Sequence, residues 1–424
     1  MQAAYPLLAA QIARAVAPYR LAGLGQGGNA VQAGAADPPS DAGAGPGGRP
    51  GRSRAGDGVE RHSDWSTEQP FIDIMKSARP WLGHQGAQWG AWDAARLAEG
   101  GHLDESGWVK AFPPGVDWIE SFVLTDQDEG ASAMAGRYRM RWQGAGELRL
   151  GGRVRDVRYG EREAWFRYAP GEGEVAITLV STDPEGTDDP IREIEIVRED
   201  QIALADLGVT FNPDWVARIA DLRGLRFMDW MMTNGSPVTD WAGRPQLSDF
   251  SYAWRGVPAE AMIELANLVG ADPWLCLPHG ADDGYVRALA EMVEARLDPR
   301  LRVHVEFLNE LWNFIFPQAR WAGDRAAALW GEGVGDDAWM QAAGLRAAET
   351  MRIWSEVFVP RRPGGWSGWR RHTGWPGLEA AFSTRPRAWP GGAASAPAKA
   401  STPMPSRAIS ASSWADGVEG GLPI

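Results

Sequence analysis

The hydrophobic residues follow a period of two between about residues 134 and 198. In "GRYRMRW" the apolar Tyr138, Met140 and Trp142 alternate with arginines, and further short apolar runs follow between Gly, Pro and Asp turns. This is the pattern of half-buried strands that are joined by short turns. It predicts an antiparallel β-sandwich, which we place at residues 101–200.

From about residue 212 the pattern becomes an alternation of short apolar strands with amphipathic helices. The strands are expected at 225–230, 273–278 and 302–308, and the helices between and after them at 257–270, 282–297 and 317–331. Such an alternation indicates parallel βαβ units and therefore an α/β fold.

The charge and the hydropathy restrict the possible partners. The formal net charge of −13 repels nucleic acid and anionic lipid. No run of 18 apolar residues is present, which argues against a transmembrane helix. We therefore expect no nucleic-acid partner and no membrane partner. The N-terminal segment has no basic region before its short apolar stretch, so no secretory signal is visible and the localisation stays open.

Two biases in composition bear on order and on binding. Residues 22–58 are rich in Gly, Ala and Pro and nearly free of large apolar residues. Because such a segment cannot bury enough surface to offset chain entropy, we predict that residues 1–58 are disordered. The 23 tryptophans have two interpretations. Indole faces stack on sugar rings, and they also fill cores and interfaces.

Polar and aromatic side chains gather directly after the predicted parallel strands. Asp229 and Trp230 end the first of these strands, His279 follows the second, and Asn309 and Glu310 follow the third. In an α/β barrel the carboxyl ends of the strands carry the active site. The strand ends are therefore the candidate functional site.

The residue types at the strand ends suit the hydrolysis of a glycosidic bond. This reaction needs a carboxylic acid that protonates the leaving oxygen and a second carboxylate that acts as nucleophile or base. Glu310 suits the acid, because partial burial after an apolar strand favours a protonated carboxyl. Asn309 can donate its amide to a sugar hydroxyl, and Trp230 and Trp312 can offer platforms for the ring. The alternative is that Asn309 and Glu310 cap the next helix, since both residue types favour a first turn.

Other chemistries find less support in the sequence. No H-E-x-x-H, C-x-x-C, G-x-S-x-G or P-loop motif is present, so we expect no metal site and no cofactor. Asp282 and Asp283 can hold a hard cation, although capping of a helix is the preferred interpretation. Arg226 either clamps a catalytic carboxylate or forms an ion pair inside a barrel.

Three segments together resemble bacterial cellulase-like or cellulose-binding proteins that are related to the clan of retaining glycoside hydrolases with (β/α)8 barrels. The segments are "RFMDWMMTN", "DPWLCLPHGADD" and "VHVEFLNELWN". In that clan the acid/base glutamate follows an asparagine at the end of strand four, which corresponds to Asn309 and Glu310. An arginine on strand two and a histidine after strand three often support the site, and Arg226 and His279 stand in similar places.

The resemblance implies the first half of a barrel, formed by residues 59–100 and 201–358, with the β-rich region inserted between them. It also implies a β-linked, cellulose-like polysaccharide or oligosaccharide as the partner and an extracellular location. The alternative function, from another class, is a carbohydrate-binding protein without catalysis. The oligomeric state is not indicated.

The chain departs from the clan after Phe358. The clan's nucleophile is a second glutamate at the end of strand seven, and no residue here corresponds to it. In this part of the sequence the hydrophobic periods of strands and helices disappear, and arginine, proline and serine become frequent. When the codons that can encode these residues are read in a frame shifted by two bases, the peptides that they permit include strand-like sequences. We hypothesise that residues 359–424 are out of frame and disordered, so that the nucleophile is lost by truncation.

Overall fold

The structure is a computed structural model that describes residues 62–333 and 335–358 and the backbone of Trp366–Trp369. The predicted disorder of residues 1–58 lies outside the described residues. The same holds for the predicted disorder of the tail, apart from Trp366–Trp369, whose backbone forms a strand. The described residues divide into two compact units, one comprising 62–309 and 353–358 and the other 310–333 and 335–352.

The first unit contains the β-rich region, which is built from two antiparallel sheets. One sheet has the strand order β2-β1-β3-β8-β5, and the other has the order β6-β7-β4-β9. Successive strands from β3 to β6 alternate between the two sheets, as in a jelly roll. The strands of this region are β1 (Leu82–Gln85), β2 (Gln88–Trp92), β3 (Trp118–Val123), β4 (Gly136–Gln143), β5 (Gly146–Gly152), β6 (Val154–Gly160), β7 (Glu163–Tyr168), β8 (Val175–Thr182) and β9 (Arg192–Arg198).

The two antiparallel sheets share one hydrophobic core. Ile119 and Ile177 enter it from the first sheet, and Met140, Phe166 and Ile196 enter it from the second. The period of two in the sequence therefore marks the inner faces of both sheets. The strands begin at Leu82, so β1 and β2 lie within the range that was predicted as the first barrel segment. They belong instead to the antiparallel sheet, where β1 pairs with both β2 and β3.

A parallel sheet follows in the chain, and its pairing agrees with the predicted βαβ units. Its strands are β10 (Gly224–Arg226), β11 (Asp272–Leu277), β12 (Val303–Phe307) and β13 (Trp366–Trp369), in that order across the sheet. The pairs β10–β11 and β11–β12 are parallel. The chain is therefore a mixed α/β protein with antiparallel sheets, and its described strands do not close a barrel.

The helices have the end signals that their sequences predict. Helix α5 ends at Gly270, whose φ of 76° is accessible to glycine without strain. Asp282 accepts a hydrogen bond from the backbone N–H of Tyr285 and so begins α6. The helices are α1 (Ala94–Glu99), α2 (Ile202–Asp206), α3 (Pro213–Ile219), α4 (Tyr252–Arg255), α5 (Ala259–Val269), α6 (Asp283–Arg296), α7 (Pro317–Trp330) and α8 (Ala338–Phe358), with 3-10 turns at Ile74–Ser77, Ser132–Met134 and Glu199–Gln201.

The first parallel strand is shorter than predicted. We expected it to extend over 225–230, but β10 ends at Arg226. The chain then turns, because the N–H of Met231 donates to the carbonyl of Phe227 and Met232 has a φ of 45°. The turn removes Trp230 from the strand. Among the described residues, no helix is both long enough and apolar enough to cross a bilayer.

His62 gives the fold a specific sensitivity to acid. Burial lowers the pKa of its imidazole from 6.5 to about 3, and its Nε2 lies 2.9 Å from the hydroxyl of Ser77. The unfolded chain therefore binds a proton below pH 6.5 that the folded chain excludes until about pH 3. The stability that neutral His62 contributes is present above pH 6.5 and is lost as the pH falls.

We expect the free energy of unfolding of the wild-type protein to fall more steeply on acidification than that of His62→Gln. Between pH 6 and pH 4 the difference in slope should approach about 1.4 kcal/mol per pH unit. Urea denaturation of both proteins at several pH values measures it. If the free energy of unfolding had the same slope against pH in both proteins, the burial of a neutral imidazole at this position would be contradicted.

Candidate functional site

Adjacent parallel strands bring an arginine and a carboxylate together. Arg226 pairs in register with Trp274, and Cys276 pairs with Glu306. The burial of β12 alternates, and its intermediate positions, which include Glu306, lie on the face opposite to the buried apolar residues of the strand. The sheet therefore has one apolar face and one face that carries polar side chains.

The carboxylate of Glu306 is the centre of this polar face. Its Oε2 accepts hydrogen bonds from Arg226 Nη2 at 2.8 Å, from Trp274 Nε1 at 2.9 Å and from Cys276 Sγ at 3.2 Å. The guanidinium of Arg226 also lies 5.1 Å from the centre of the Trp274 ring, within the range of a cation–π contact. These contacts fix the orientation of both charged groups.

Arg226 connects Glu306 to the end of β12. Its Nη2 donates to Asn309 Oδ1 at 3.0 Å, and Asn309 Nδ2 donates to Asn234 Oδ1 at 3.2 Å. Of the two interpretations of Arg226, the ion pair inside the sheet is the one that the structure contains. The same arginine holds the amide of Asn309, so two predicted site residues are brought together.

The backbone around Asn309 and Glu310 has an unusual conformation. Leu308 has a φ of 65° and Glu310 a φ of 45°, values that non-glycine residues rarely adopt. Such positions cost about 1–3 kcal/mol each and cluster at functional sites. The side chain of Asn313 donates to Glu310 Oε2 at 3.0 Å.

The helix-capping interpretation of Asn309 and Glu310 is wrong. The next helix, α7, begins at Pro317, and the residue at its N-cap position is Phe316. Asn309 and Glu310 are therefore too far upstream to cap it. In contrast, the capping interpretation of Asp282 is confirmed, because its Oδ1 accepts from the N–H of Tyr285 at 2.6 Å.

Trp230 has a different environment from the one that the sequence suggested. Its side chain is 2 % exposed and packs between the rings of Phe71, Trp215 and Phe227, at 5.4–6.0 Å between ring centres. An indole ring that is buried to this extent has no face accessible to a sugar. The turn after β10 directs Trp230 into this cluster, so its predicted role as a platform is corrected to one in packing.

His279 and Trp312 are both half-buried. His279 follows Pro278 at the carboxyl end of β11, and burial lowers the pKa of its imidazole, so the ring is neutral at pH 7. Trp312 lies in the turn between Glu310 and Asn313 in the second unit. Neither placement tests the predicted role of its residue in sugar binding.

Sequence reasoning missed Glu306, Trp274 and Asn234. A signal for Glu306 was present, because a glutamate in the otherwise apolar run "VEFL" has to face a polar neighbour or solvent. Arg226, the second residue of the run "LRFMDW", was the available partner. The link between them depends on the register of β10 to β12, which the sequence does not specify.

Comparisons with protein families, with curated proteins and with solved structures found no match for this chain. Among the described residues, no group of three or more His, Cys, Asp or Glu side chains is arranged to hold a metal ion. The interpretation of the site therefore depends on its own residues. These provide a fixed guanidinium, a fixed amide and a glutamate on a strained backbone.

The Arg226–Glu306 pair allows a test of the site's architecture. We expect Arg226→Met to lower the free energy of unfolding by about 2 kcal/mol, because it leaves a half-buried carboxylate without its cation and partial exposure moderates the loss. The double variant Arg226→Met/Glu306→Gln should be more stable than Arg226→Met alone. Urea denaturation measures both. Additive losses would show that the two residues do not interact.

Proposed function

We propose that the chain is a glycoside hydrolase-like protein that acts on a β-linked, cellulose-like polysaccharide, with Glu310 as the acid/base residue. We further propose that β10, β11 and β12 belong to the first half of a (β/α)8 barrel. The observation that carries the proposal is the polar assembly of Arg226 and Asn309 at the carboxyl end of the parallel sheet, followed directly by Glu310.

Each residue has a defined task in this proposal. The carboxyl group of Glu310 transfers its proton to the glycosidic oxygen while the bond between that oxygen and the anomeric carbon breaks and a nucleophile, supplied from solution in place of the lost one, bonds to that carbon. An asparagine amide offers two N–H donors, and the contact of Oδ1 with Arg226 orients those of Asn309. A sugar hydroxyl that accepts from this amide is bound more strongly as positive charge develops on the ring.

The second carboxylate of the reaction is not assigned among the described residues. Glu306 is the nearest candidate by sequence, but Arg226, Trp274 and Cys276 all contact its Oε2. We propose that the nucleophile is lost because residues 359–424 are out of frame. Resequencing of the gene across codons 355–424 tests this: a missing or extra base should restore strand and helix periods, and an unchanged sequence would contradict it.

The alternative proposal is a carbohydrate-binding protein without catalysis. Its specific support is the presence of two exposed tryptophans, Trp65 and Trp89, in the part of the chain that carries the antiparallel sheets. Contiguous exposed apolar patches mark interaction surfaces and ligand-binding grooves. In both proposals the ligand is a glycan, but in this alternative the bound glycan is not cleaved.

A panel of β-linked glycans separates the two proposals. The wild-type protein is incubated with soluble β-1,4-, β-1,3- and mixed-linkage glucans in the presence of azide, an external nucleophile in place of the lost one, and shortened products and binding affinity are both measured. Formation of shortened products supports the hydrolase, and binding without shortened products supports the binding protein. The absence of both binding and shortened products on every glycan would contradict both proposals.

A further inference from the structure

A group of aromatic and polar side chains lies on the outer face of the five-stranded sheet. His84 pairs in register with Trp118, and Glu120 and Phe122 follow at the next positions on the same face of β3. Ile119 alternates with them and belongs to the core on the opposite face. The group is therefore not part of the core between the two sheets.

Two tryptophans at this face are largely exposed. Trp89 is 63 % exposed, and its ring centre lies 4.1 Å from that of His84 and 6.1 Å from that of Phe122. Trp65 is 53 % exposed, and the guanidinium of Arg79 lies between it and Phe122, at 5.8 Å and 5.0 Å from the two ring centres. The rings thus form a continuous row, which we call the Trp65–Trp89 surface.

Buried polar groups lie beside the rings. His84 and Glu120 are 0 % and 6 % exposed, and their Nε2 and Oε1 atoms are 3.1 Å apart. Thr178 donates to the other oxygen of Glu120 at 3.3 Å. The N–H of Gly90 donates to His84 Nδ1, and the φ of 61° at Gly90 allows the chain to turn so that Trp89 lies over the imidazole.

The surface carries little net charge. Arg79 is bound through two nitrogens by the buried carboxylate of Asp64, at 2.6 Å and 3.2 Å. Burial lowers the pKa of His84 and raises the pKa of Glu120, so both groups are shifted toward their neutral forms. Because Asp64 already compensates the cation of Arg79, an anionic ligand gains little from the guanidinium, whereas an uncharged ligand with many hydroxyl groups suits the exposed rings.

We propose that the Trp65–Trp89 surface binds an uncharged β-linked glycan chain, independently of the site at the end of the parallel sheet. The C–H faces of sugar rings pack on exposed indoles, and the hydroxyl groups at the ring edges reach polar side chains. Here Trp89 and Trp65 offer the ring faces, and the half-buried guanidinium of Arg79, which lies between Trp65 and Phe122, is the polar group that a hydroxyl reaches. A partner protein is the competing occupant of an exposed aromatic surface, and the sedimentation measurement described below distinguishes pairing of two copies from glycan binding.

The test measures binding and does not depend on hydrolysis. The probes are hydroxyethylcellulose in native affinity gels and cellohexaose in isothermal titration calorimetry. We expect Trp89→Ala and Trp65→Ala each to weaken the binding of cellohexaose by about tenfold. The double variant should run in the gel as if no polysaccharide were present. Trp89→Phe should retain part of the affinity.

Tyr159→Ala is the matched control, because Tyr159 is 52 % exposed on β6 of the other sheet. It should bind as the wild type does. Because both tryptophans are largely exposed, their replacement is not expected to unfold the protein, and circular dichroism of the variants checks this. Unchanged affinity in the double variant would overturn the proposal, as would a wild-type protein that binds neither probe. A change from dimer to monomer in Trp89→Ala, measured by sedimentation, would also overturn it by showing that the surface pairs two copies.

A failure of this proposal is distinguishable from a failure of the proposed hydrolase. The double variant Trp65→Ala/Trp89→Ala leaves Glu310, Asn309 and Arg226 in place, so cleavage of a short soluble substrate in the presence of azide, which replaces the lost nucleophile, should continue in it. Loss of the polysaccharide affinity with retained cleavage supports two separate sites. Loss of cleavage together with affinity would mean that this surface is part of the hydrolytic site and would overturn its independence.

Discussion

Replacement of Glu310 by glutamine is expected to lower the cleavage of a β-linked oligosaccharide by about 10²–10⁴-fold, the usual contribution of a general acid. Glutamine keeps the shape of the side chain but cannot transfer a proton to the leaving oxygen. A substrate that leaves as dinitrophenolate needs no proton, so its cleavage should be almost unchanged. The comparison of the two substrates therefore identifies the acid role itself.

Azide is included in these assays as an external nucleophile, because the chain's own nucleophile is proposed to be lost. The terminal nitrogen of azide bonds to the anomeric carbon while the glycosidic bond breaks and Glu310 transfers its proton to the departing oxygen. The product is a glycosyl azide of inverted configuration, and the Glu310 carboxylate takes up a proton from water. Glu332→Gln, at an exposed position of the same unit, is the control and should behave as the wild type does.

Two results with Glu310→Gln would contradict the assignment. An equal loss on both substrates would indicate that Glu310 supports the structure or binds the sugar. No loss on either substrate would exclude it from the reaction. Retained affinity for cellohexaose in the variant is expected in both the hydrolase and the binding protein, so affinity alone does not decide between them.

Truncation of Trp230 to alanine is expected to lower the free energy of unfolding by about 3–5 kcal/mol, the usual cost of removing a large buried aromatic side chain. Its ring packs against Phe71, Trp215 and Phe227, and the loss leaves a cavity that these rings cannot fill. Urea denaturation measures the change. Because a folded domain is stable by only about 5–15 kcal/mol, the variant is close to the limit of folding.

Trp230→Phe is the matched variant for this position. Phenylalanine keeps an apolar ring in the cluster, so its loss of stability should be less than half of that of Trp230→Ala. A platform for sugar would behave differently: Trp230→Ala would keep the wild-type stability and lose affinity for glycan. That result would overturn the packing role that the structure assigns to this residue.

The sequence predicts the strands in which apolar and polar residues clearly alternate. Strands without this alternation are missed. β4, β5, β7, β8 and β9 all correspond to apolar runs that were recognised, because their inner positions contribute to the shared core. β6 was not predicted. It is an edge strand with mostly exposed residues, so little selection for apolar alternation acts on it.

β1 and β2 were missed for a different reason. They are short and contain glycine, and their place in the sheet depends on the pairing of β1 with β3, whose residues lie more than thirty positions away in the chain from those of β1. Tertiary pairing of this kind has no local signal. The same limit applies to the site: Asn309 and Arg226 were recognised individually, but the contacts of Arg226 with Glu306 and Asn309 depend on the register of three strands.

The turn after β10 explains the largest error among the site residues. "LRFMDW" has the composition of a buried strand, and a strand of that length would place Trp230 at its carboxyl end. The hydrogen bond from the N–H of Met231 to Phe227 ends the extended backbone early. A hydrophobic run alone does not show where a strand stops and a buried turn begins.

The most direct test of the proposed hydrolytic site is mass spectrometry of cellohexaose after incubation with the wild-type protein in azide. The proposal predicts shortened oligosaccharides that carry an azide at the new end, and their near absence with Glu310→Gln. Intact cellohexaose with the wild-type protein, or equal amounts of product from both proteins, would contradict it.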